Sequence, residues 1–299
     1  MKTPQDILNQ IKEDSIKYVD LRFTDPKGKW QHLTIDIAMV DEEFLEEGTM
    51  FDGSSIAGWK AINESDMLLK PDLDTGFIDP FFAQTTIVFF CDILEPYTGE
   101  DYGRDPRSTA RRAEAYVKSS GAGDTVFFGP EAEFFVFDDV RWSVAQNKIG
   151  FEFDSDEGAY NTDAEYEAGN MGHRPRTKGG YFPVSPVDSG QDLRGEMLAA
   201  IAEMGVEVEK HHHEVAPSQH ELGIKFNTLT RMADQLQIYK YGIHQVAASY
   251  GKTATFMPKP VMGDNGSGMH CHQSIWRDGK PLFAGTGYAD LSEQCLYYK

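Results

Sequence analysis

Cysteine is scarce. The 299 residues hold 3, at positions 91, 271 and 295, too few and too scattered for a disulfide framework. That suits a reducing compartment. Positive charge is also in short supply. Lys+Arg number 28 against 48 Asp+Glu, a net charge of −20. A phosphate backbone needs a basic face, so nucleic acid is not an expected partner. The same deficit argues against anionic lipid. Long apolar runs are missing too. Runs such as Ile87 to Cys91 fall far short of the roughly 20 residues that span a bilayer. The first 25 residues are polar and mixed in charge, with no secretory hydrophobic core. A cytoplasmic location is the expectation. There is no internal repeat and no low-complexity tract.

What remains is ordinary for a globular protein: 40% hydrophobic and 25% charged residues, enough for about two domains. The acid excess is uneven. Residues 1–103 hold 21 acids and 8 bases, and residues 104–299 hold 27 and 20. Between them Glu95 to Pro106 is rich in turn formers and reads as a linker, so a boundary is placed near 103. In the first part, Thr3 and Pro4 open a short helix. Strands are expected at Ile16–Phe23, Trp30–Ile37 and Thr85–Ile93. In the second part, three helices follow Pro106, Ser189 and Thr230, each with a cap in front and a glycine behind. Strands are expected at Thr125–Phe128, Ala132–Phe137, Val206–Val215 and His270–Trp276. Helices and strands segregate without regular alternation, which indicates an α+β fold.

Four segments carry the chemistry. In Gly129-Pro-Glu-Ala-Glu-Phe134, Glu131 and Glu133 are two apart and share a strand face among phenylalanines. Two carboxylates so placed repel each other and lose hydration, and a cation relieves both costs. The alternative is a strand edge in water. Lys210 to Glu221 concentrates His211, His212, His213, Glu214, His220 and Glu221. It is not a zinc-protease motif, because Pro217 stands where the second histidine belongs. Gly263 to His272 is glycine-rich, lacks the Gly-Lys-Ser/Thr of a phosphate loop, and puts His270 and His272 on one strand face. Asp52 and Ser55 lie in a glycine-flanked loop, either a surface turn or a piece that completes a site elsewhere. Carboxylates with histidine and no paired cysteine suit Mg²⁺ or Mn²⁺ better than zinc.

Together these segments resemble bacterial type I glutamine synthetase. The matching stretches are Phe51-Asp-Gly-Ser-Ser-Ile56, Asn63-Glu-Ser-Asp66, Gly129-Pro-Glu-Ala-Glu-Phe134, Lys178-Gly-Gly-Tyr-Phe-Pro183, His212-His-Glu-Val-Ala216, Lys252-Thr-Ala-Thr-Phe-Met-Pro258 and Asn265-Gly-Ser-Gly-Met-His270, in the family's order. The resemblance implies a β-grasp domain over 1–103 and part of a glutamine synthetase/guanido kinase-type catalytic domain over 104–299. It implies ATP-dependent ligation of ammonia to L-glutamate through γ-glutamyl phosphate, with Mg²⁺ or Mn²⁺. It also implies a ring-shaped homo-oligomer of twelve subunits whose sites are shared between neighbours.

By position, the resemblance makes Glu133, Glu214 and Glu221 ligands of one metal. Glu131 and His270 become ligands of a second. Glu209, His272 and Ser274 become ATP contacts, and Asn265 and Gly266 hold the substrate glutamate. Asp52, with Ser55 in the same loop, binds ammonium and takes its proton. Family members continue beyond Lys299, so the chain reads as an N-terminal fragment expected to bind one metal and to turn over poorly. Non-catalytic use of the same fold, or ligation of glutamate to another amine, are the alternatives.

Overall fold

The computed structural model describes residues 1–160 and 172–298. The chain divides into two compact units, one of residues 1–127, 228–237 and 274–299, the other of residues 128–227 and 238–273.

The first unit opens with α1 (Pro4–Glu13), where the Thr3 hydroxyl accepts from Asp6 N and the Asp6 carboxylate answers the Thr3 backbone. Strands β1 (Tyr18–Thr24) and β2 (Trp30–Asp36), helix α2 (Glu42–Glu47) and strands β3 (Thr49–Asp52), β4 (Asp66–Pro71), β5 (Phe77–Ile78) and β6 (Thr86–Leu94) follow. The sheet order is β2-β1-β6-β4-β3, with β5 also on β6. Strands β1 and β6 run parallel, Tyr18 opposite Thr86, and the other pairs are antiparallel. Ile7, Ile11 and Leu45 pack with Val19, Leu21, Phe23, Ile87, Phe89 and Ile93. Strand β1 is buried on both faces, because Asp20 and Arg22, opposite in direction to the apolar residues, satisfy each other (2.6 Å) together with Asp79 and Thr34.

Helix α3 (Pro106–Ser119) follows the Asp105 cap, whose carboxylate accepts from Ser108 N at 2.8 Å. Its Arg107 is buried among carboxylates. It donates to Asp72 (2.6 Å), to Asp234 (3.0 and 3.1 Å) and to Asp92. Burial opposes the charge, yet these carboxylates hold the guanidinium well above its ordinary pKa.

The remaining elements are β7 (Thr125–Phe137), β8 (Asp139–Ala145), β9 (Lys148–Asp154), α4 (Gln191–Glu203), β10 (Val208–His213), β11 (Gln219–Ile224), β12 (Asn227–Thr228), α5 (Leu229–Ser249), β13 (Thr253–Thr255), β14 (Met269–Arg277), β15 (Lys280–Pro281) and α6 (Glu293–Tyr298). The sheet order is β10-β11-β7-β14-β15, with β12 and β13 also on β7. In the second unit, Ala132, Phe134, His220 and Leu222 face helix α5. Its Tyr239 hydroxyl donates to the Ala132 carbonyl at 2.6 Å and accepts from Leu222 N at 3.3 Å, and Phe134 rests on the His220 and Tyr239 rings. The opposite sheet face is thereby left to the odd-numbered residues of β7 and β11.

Several expected boundaries move. The two strands placed at Thr125–Phe128 and Ala132–Phe137 are one, because the Gly129-Pro130 pair lies within the ladder. Ser189 does not cap α4: Gly190 occupies that position, and the Ser189 hydroxyl donates to Glu157 at 2.6 Å. Thr230 lies inside α5 and its hydroxyl donates to Glu114. Lys299 lies outside the described residues. The β8–β9 hairpin was not anticipated.

Candidate metal centre

Strand register builds the centre. Glu133 of β7 stands opposite Glu221 of β11, and Glu221 stands opposite His212 of β10. Directly opposed residues share a face, so the three form a row across three strands. Alternation adds Glu131 two residues before Glu133, and Glu214 lies two residues past His212. His212 Nε2 lies 2.8 Å from Glu214 Oε1 and 3.7 Å from Glu221 Oε2. One ligand atom from each of His212, Glu214 and Glu221 falls within 4.8 Å of the others.

The row is short of positive charge. Among the described residues no lysine or arginine forms an ion pair with Glu131, Glu133, Glu214 or Glu221. Their ionic partners are imidazoles, His212 and, at 3.3 Å from Glu131, His272. Burial pushes the Glu133 carboxyl above its usual range, and the Glu214 charge adds to this. Burial does the same to Glu221, helped by Glu131, Glu214 and Glu133 and opposed by His212. Carboxylates that lose hydration together, with imidazole beside them, make a donor set for a hard divalent cation. The residues therefore fit the expected metal.

Local chain geometry supports the approach. Gly268 lies between Glu133 and His270: a Cβ there would stand 3.0 Å from Glu133 Oε1 and from the His270 ring. A side chain there would push one of the two groups back by a few tenths of an ångström. Glu133 N donates to the Gly268 carbonyl at 3.1 Å. The His212 ring is met edge-on by the Tyr181 and Phe182 rings, at 5.7 and 4.8 Å. Behind the row, buried Glu157 accepts from His213 Nε2 (2.8 Å), Ser218 N (2.7 Å) and Ser189 (2.6 Å). Burial resists its charge, but these donors hold its carboxyl far below the usual range. Fully buried Arg194 of α4 bonds Asp188 (2.5 Å), His220 Nδ1 (3.0 Å) and His211 Nδ1 (3.2 Å), and burial pushes the His220 imidazole down to about 3.

The other expected site residues fall as follows. His270 and His272 share the exposed first half of β14. Glu209 is exposed where the β10–β11 register shifts between Val208 and Lys210. The Ser274 hydroxyl accepts from Trp276 Nε1 at 2.9 Å. Asn265 and Gly266 lie in a half-buried loop, Asn265 N donating to Asp264 at 2.9 Å. Asp52 and Ser55 form a separate, exposed cluster in the first unit. The Asp52 carboxylate accepts from Ser54 N (2.8 Å), Ser54 Oγ (2.6 Å) and Ser55 Oγ (2.6 Å). The Ser54 and Ser55 hydroxyls hold it below the usual carboxylate range. His212 was not among the expected ligands. Its signal was the same alternation that paired Glu131 with Glu133, since it stands two before Glu214 on β10.

Fold and donor set define an α+β protein with an oxygen-rich cluster of carboxylates and imidazole on one sheet face, a candidate cation centre. Residues 15–96 match the model of the glutamine synthetase beta-Grasp domain, and residues 103–299 that of the glutamine synthetase catalytic domain. The chain belongs to the glutamine synthetase family. It is 72% identical over 298 residues to a glutamine synthetase of Bradyrhizobium diazoefficiens, covering 100% of this chain and 64% of that relative. It is 59% identical over 293 residues to that of Escherichia coli strain K12, covering 98% and 62%. The solved structure of Plasmodium falciparum glutamine synthetase superposes with a TM-score of 0.91 at 29% identity, over 100% of this chain and 59% of that one. The chain thus spans about 64% of the length of the curated relatives it matches. No described helix is long and apolar enough to cross a membrane.

Proposed function

We propose that this chain carries the metal and nucleotide part of an ATP-dependent glutamate–ammonia ligase, in a β-grasp domain (1–103) and a catalytic domain (104–299). The observation that carries this reading is the Glu133–Glu221–His212 row with Glu131 and Glu214 beside it. A strongly acidic protein grips anionic ATP and glutamate only if cations intervene. Glu133, Glu214 and Glu221 would hold one Mg²⁺ or Mn²⁺, with His212 at its edge, and Glu131 and His270 a second. When bound, the ions neutralise phosphate oxygens during transfer.

The chain's own residues do the rest. Glu209, His272 and Ser274 contact the nucleotide. The Asn265–Gly266 loop holds glutamate, whose side-chain carboxylate takes the γ-phosphoryl group and becomes an acylating agent. Asp52, charged and fixed by Ser54 and Ser55, binds ammonium and accepts its proton, so that ammonia attacks the activated carbonyl and phosphate leaves. In a ring-shaped homo-oligomer in the cytoplasm, the Asp52 loop of one subunit serves its neighbour. The test is Mn²⁺ binding followed by electron paramagnetic resonance. Saturable binding that Glu221→Gln weakens about 100-fold or more, at least the top of the range for losing an outer-shell partner, supports the reading. Equal binding by both chains overturns it.

A further inference from the structure

Gln219 is fully buried, and its side-chain amide serves three partners. Nε2 donates to Glu133 Oε2 at 2.7 Å and to the Gly266 carbonyl at 2.9 Å. Oε1 accepts from Ala216 N at 3.0 Å. An amide nitrogen carries two hydrogens, and here one is given to the carboxylate row and the other to the glycine loop. Gln219 stands two residues before Glu221 on β11, opposite Phe135, and so on the row's face.

The loop presents its carbonyl from close quarters. A Cβ on Gly266 would meet the Pro258 carbonyl oxygen at 2.3 Å, and Ser267 N donates to that same oxygen at 2.8 Å. The loop's other tie to β7 is the Glu133 N to Gly268 bond at 3.1 Å. Both ties end on Glu133. A carboxylate drawn towards a cation turns its oxygens, and the amide that bonds one of them carries the Gly266 carbonyl with it.

We propose that Gln219 is a positioning residue that aims the Glu133 carboxylate for cation capture and makes capture order the 264–268 loop. The proposal rests on the metal-centre reading above. Without the amide, Glu133 loses a charge-assisted donor and the half-buried Gly266 carbonyl loses the Gln219 donor.

The experiment measures Mn²⁺ affinity and amide hydrogen exchange over residues 258–268 in the 299-residue chain, in Gln219→Met and in Gln219→Glu. In the unaltered chain, saturating Mn²⁺ slows loop exchange about tenfold or more. Gln219→Met keeps the length without the donors. It is expected to bind Mn²⁺ about tenfold more weakly, as other outer-shell losses do, and to show no loop protection even at saturation. Gln219→Glu adds a carboxylate beside the row, so Mn²⁺ affinity holds or rises, while repulsion from the Gly266 carbonyl leaves the loop unprotected. A purely structural glutamine would not separate affinity from protection in this way.

If the unaltered chain binds Mn²⁺ and the loop exchange does not change, or if either variant is protected like the unaltered chain, the proposal fails and the metal centre stands. If the unaltered chain binds no Mn²⁺, both fall. Should neither variant give a cooperative melt, exchange in the unaltered chain with and without Mn²⁺ decides the matter alone.

Discussion

Carboxylates converge in two places, under opposite conditions. Around Arg107, Asp72, Asp92 and Asp234 share one buried guanidinium, with Arg111 also on Asp92. On the β7–β11–β10 face, Glu131, Glu133, Glu214 and Glu221 converge on imidazoles and an amide. The first cluster carries its own countercharge and reads as structural: it ties α3 to strand-end residues of the first unit. The second holds no lysine or arginine in an ion pair among the described residues, and that deficit is what supports the proposed cation centre.

The comparison breaks most visibly at Arg107. Arg107→Met leaves Asp72 and Asp234 without their guanidinium while Asp92 keeps Arg111, and a buried pair broken in this way costs about 3–5 kcal/mol; thermal melts should show the loss with or without Mn²⁺. At the row the sign reverses. Glu221→Gln removes repulsion and should stabilise the metal-free chain by about 1 kcal/mol, while the stabilisation by Mn²⁺ falls. A Glu221→Gln chain that melts lower than the unaltered one without metal would erase the distinction.

pH sharpens the contrast. The Glu133 and Glu221 carboxyls are raised in the folded chain, so their contribution is greatest at low pH and is lost as pH rises through those raised values. A divalent cation needs the charged forms. The Mn²⁺-induced rise in melting temperature should therefore be larger near neutral pH than in mild acid. Equal rises at both would contradict the assignment. Smallest of all is Asp52→Asn. Asp52 lies in its own exposed cluster, and the change should leave both the melting temperature and Mn²⁺ affinity where they were, as calorimetry and paramagnetic resonance can verify.

Local signals were the legible ones. Thr3 with Pro4 and Asp105 with Pro106 announce helices because the capping bonds span two or three residues. The proposed ligands Glu131, Glu133, Glu214, Glu221 and His270 were named from the family resemblance, with spacing alone pairing Glu131 with Glu133. His212 stands in the Lys210–Glu221 cluster but was not assigned as a ligand, because its place opposite Glu221 depends on pairing between β10 and β11, and no neighbour in sequence states that register. The β7 strand was split at Gly129-Pro130 for a related reason: those residues favour turns locally, and only the surrounding ladder keeps them extended. Ser189 and Thr230 looked like caps, yet their hydroxyls are claimed by Glu157 and Glu114, at distances along the chain that no local rule reaches.

The cross-strand row has a consequence for how the molecule matures. Sliding β11 by one residue along β7 would turn Glu221 towards Tyr239 and the helices, and bring His220 or Leu222 to the open side. Only molecules with the native alignment present a complete set of oxygens. The oxygens of the row are therefore assembled by register, and a slipped chain would lack them.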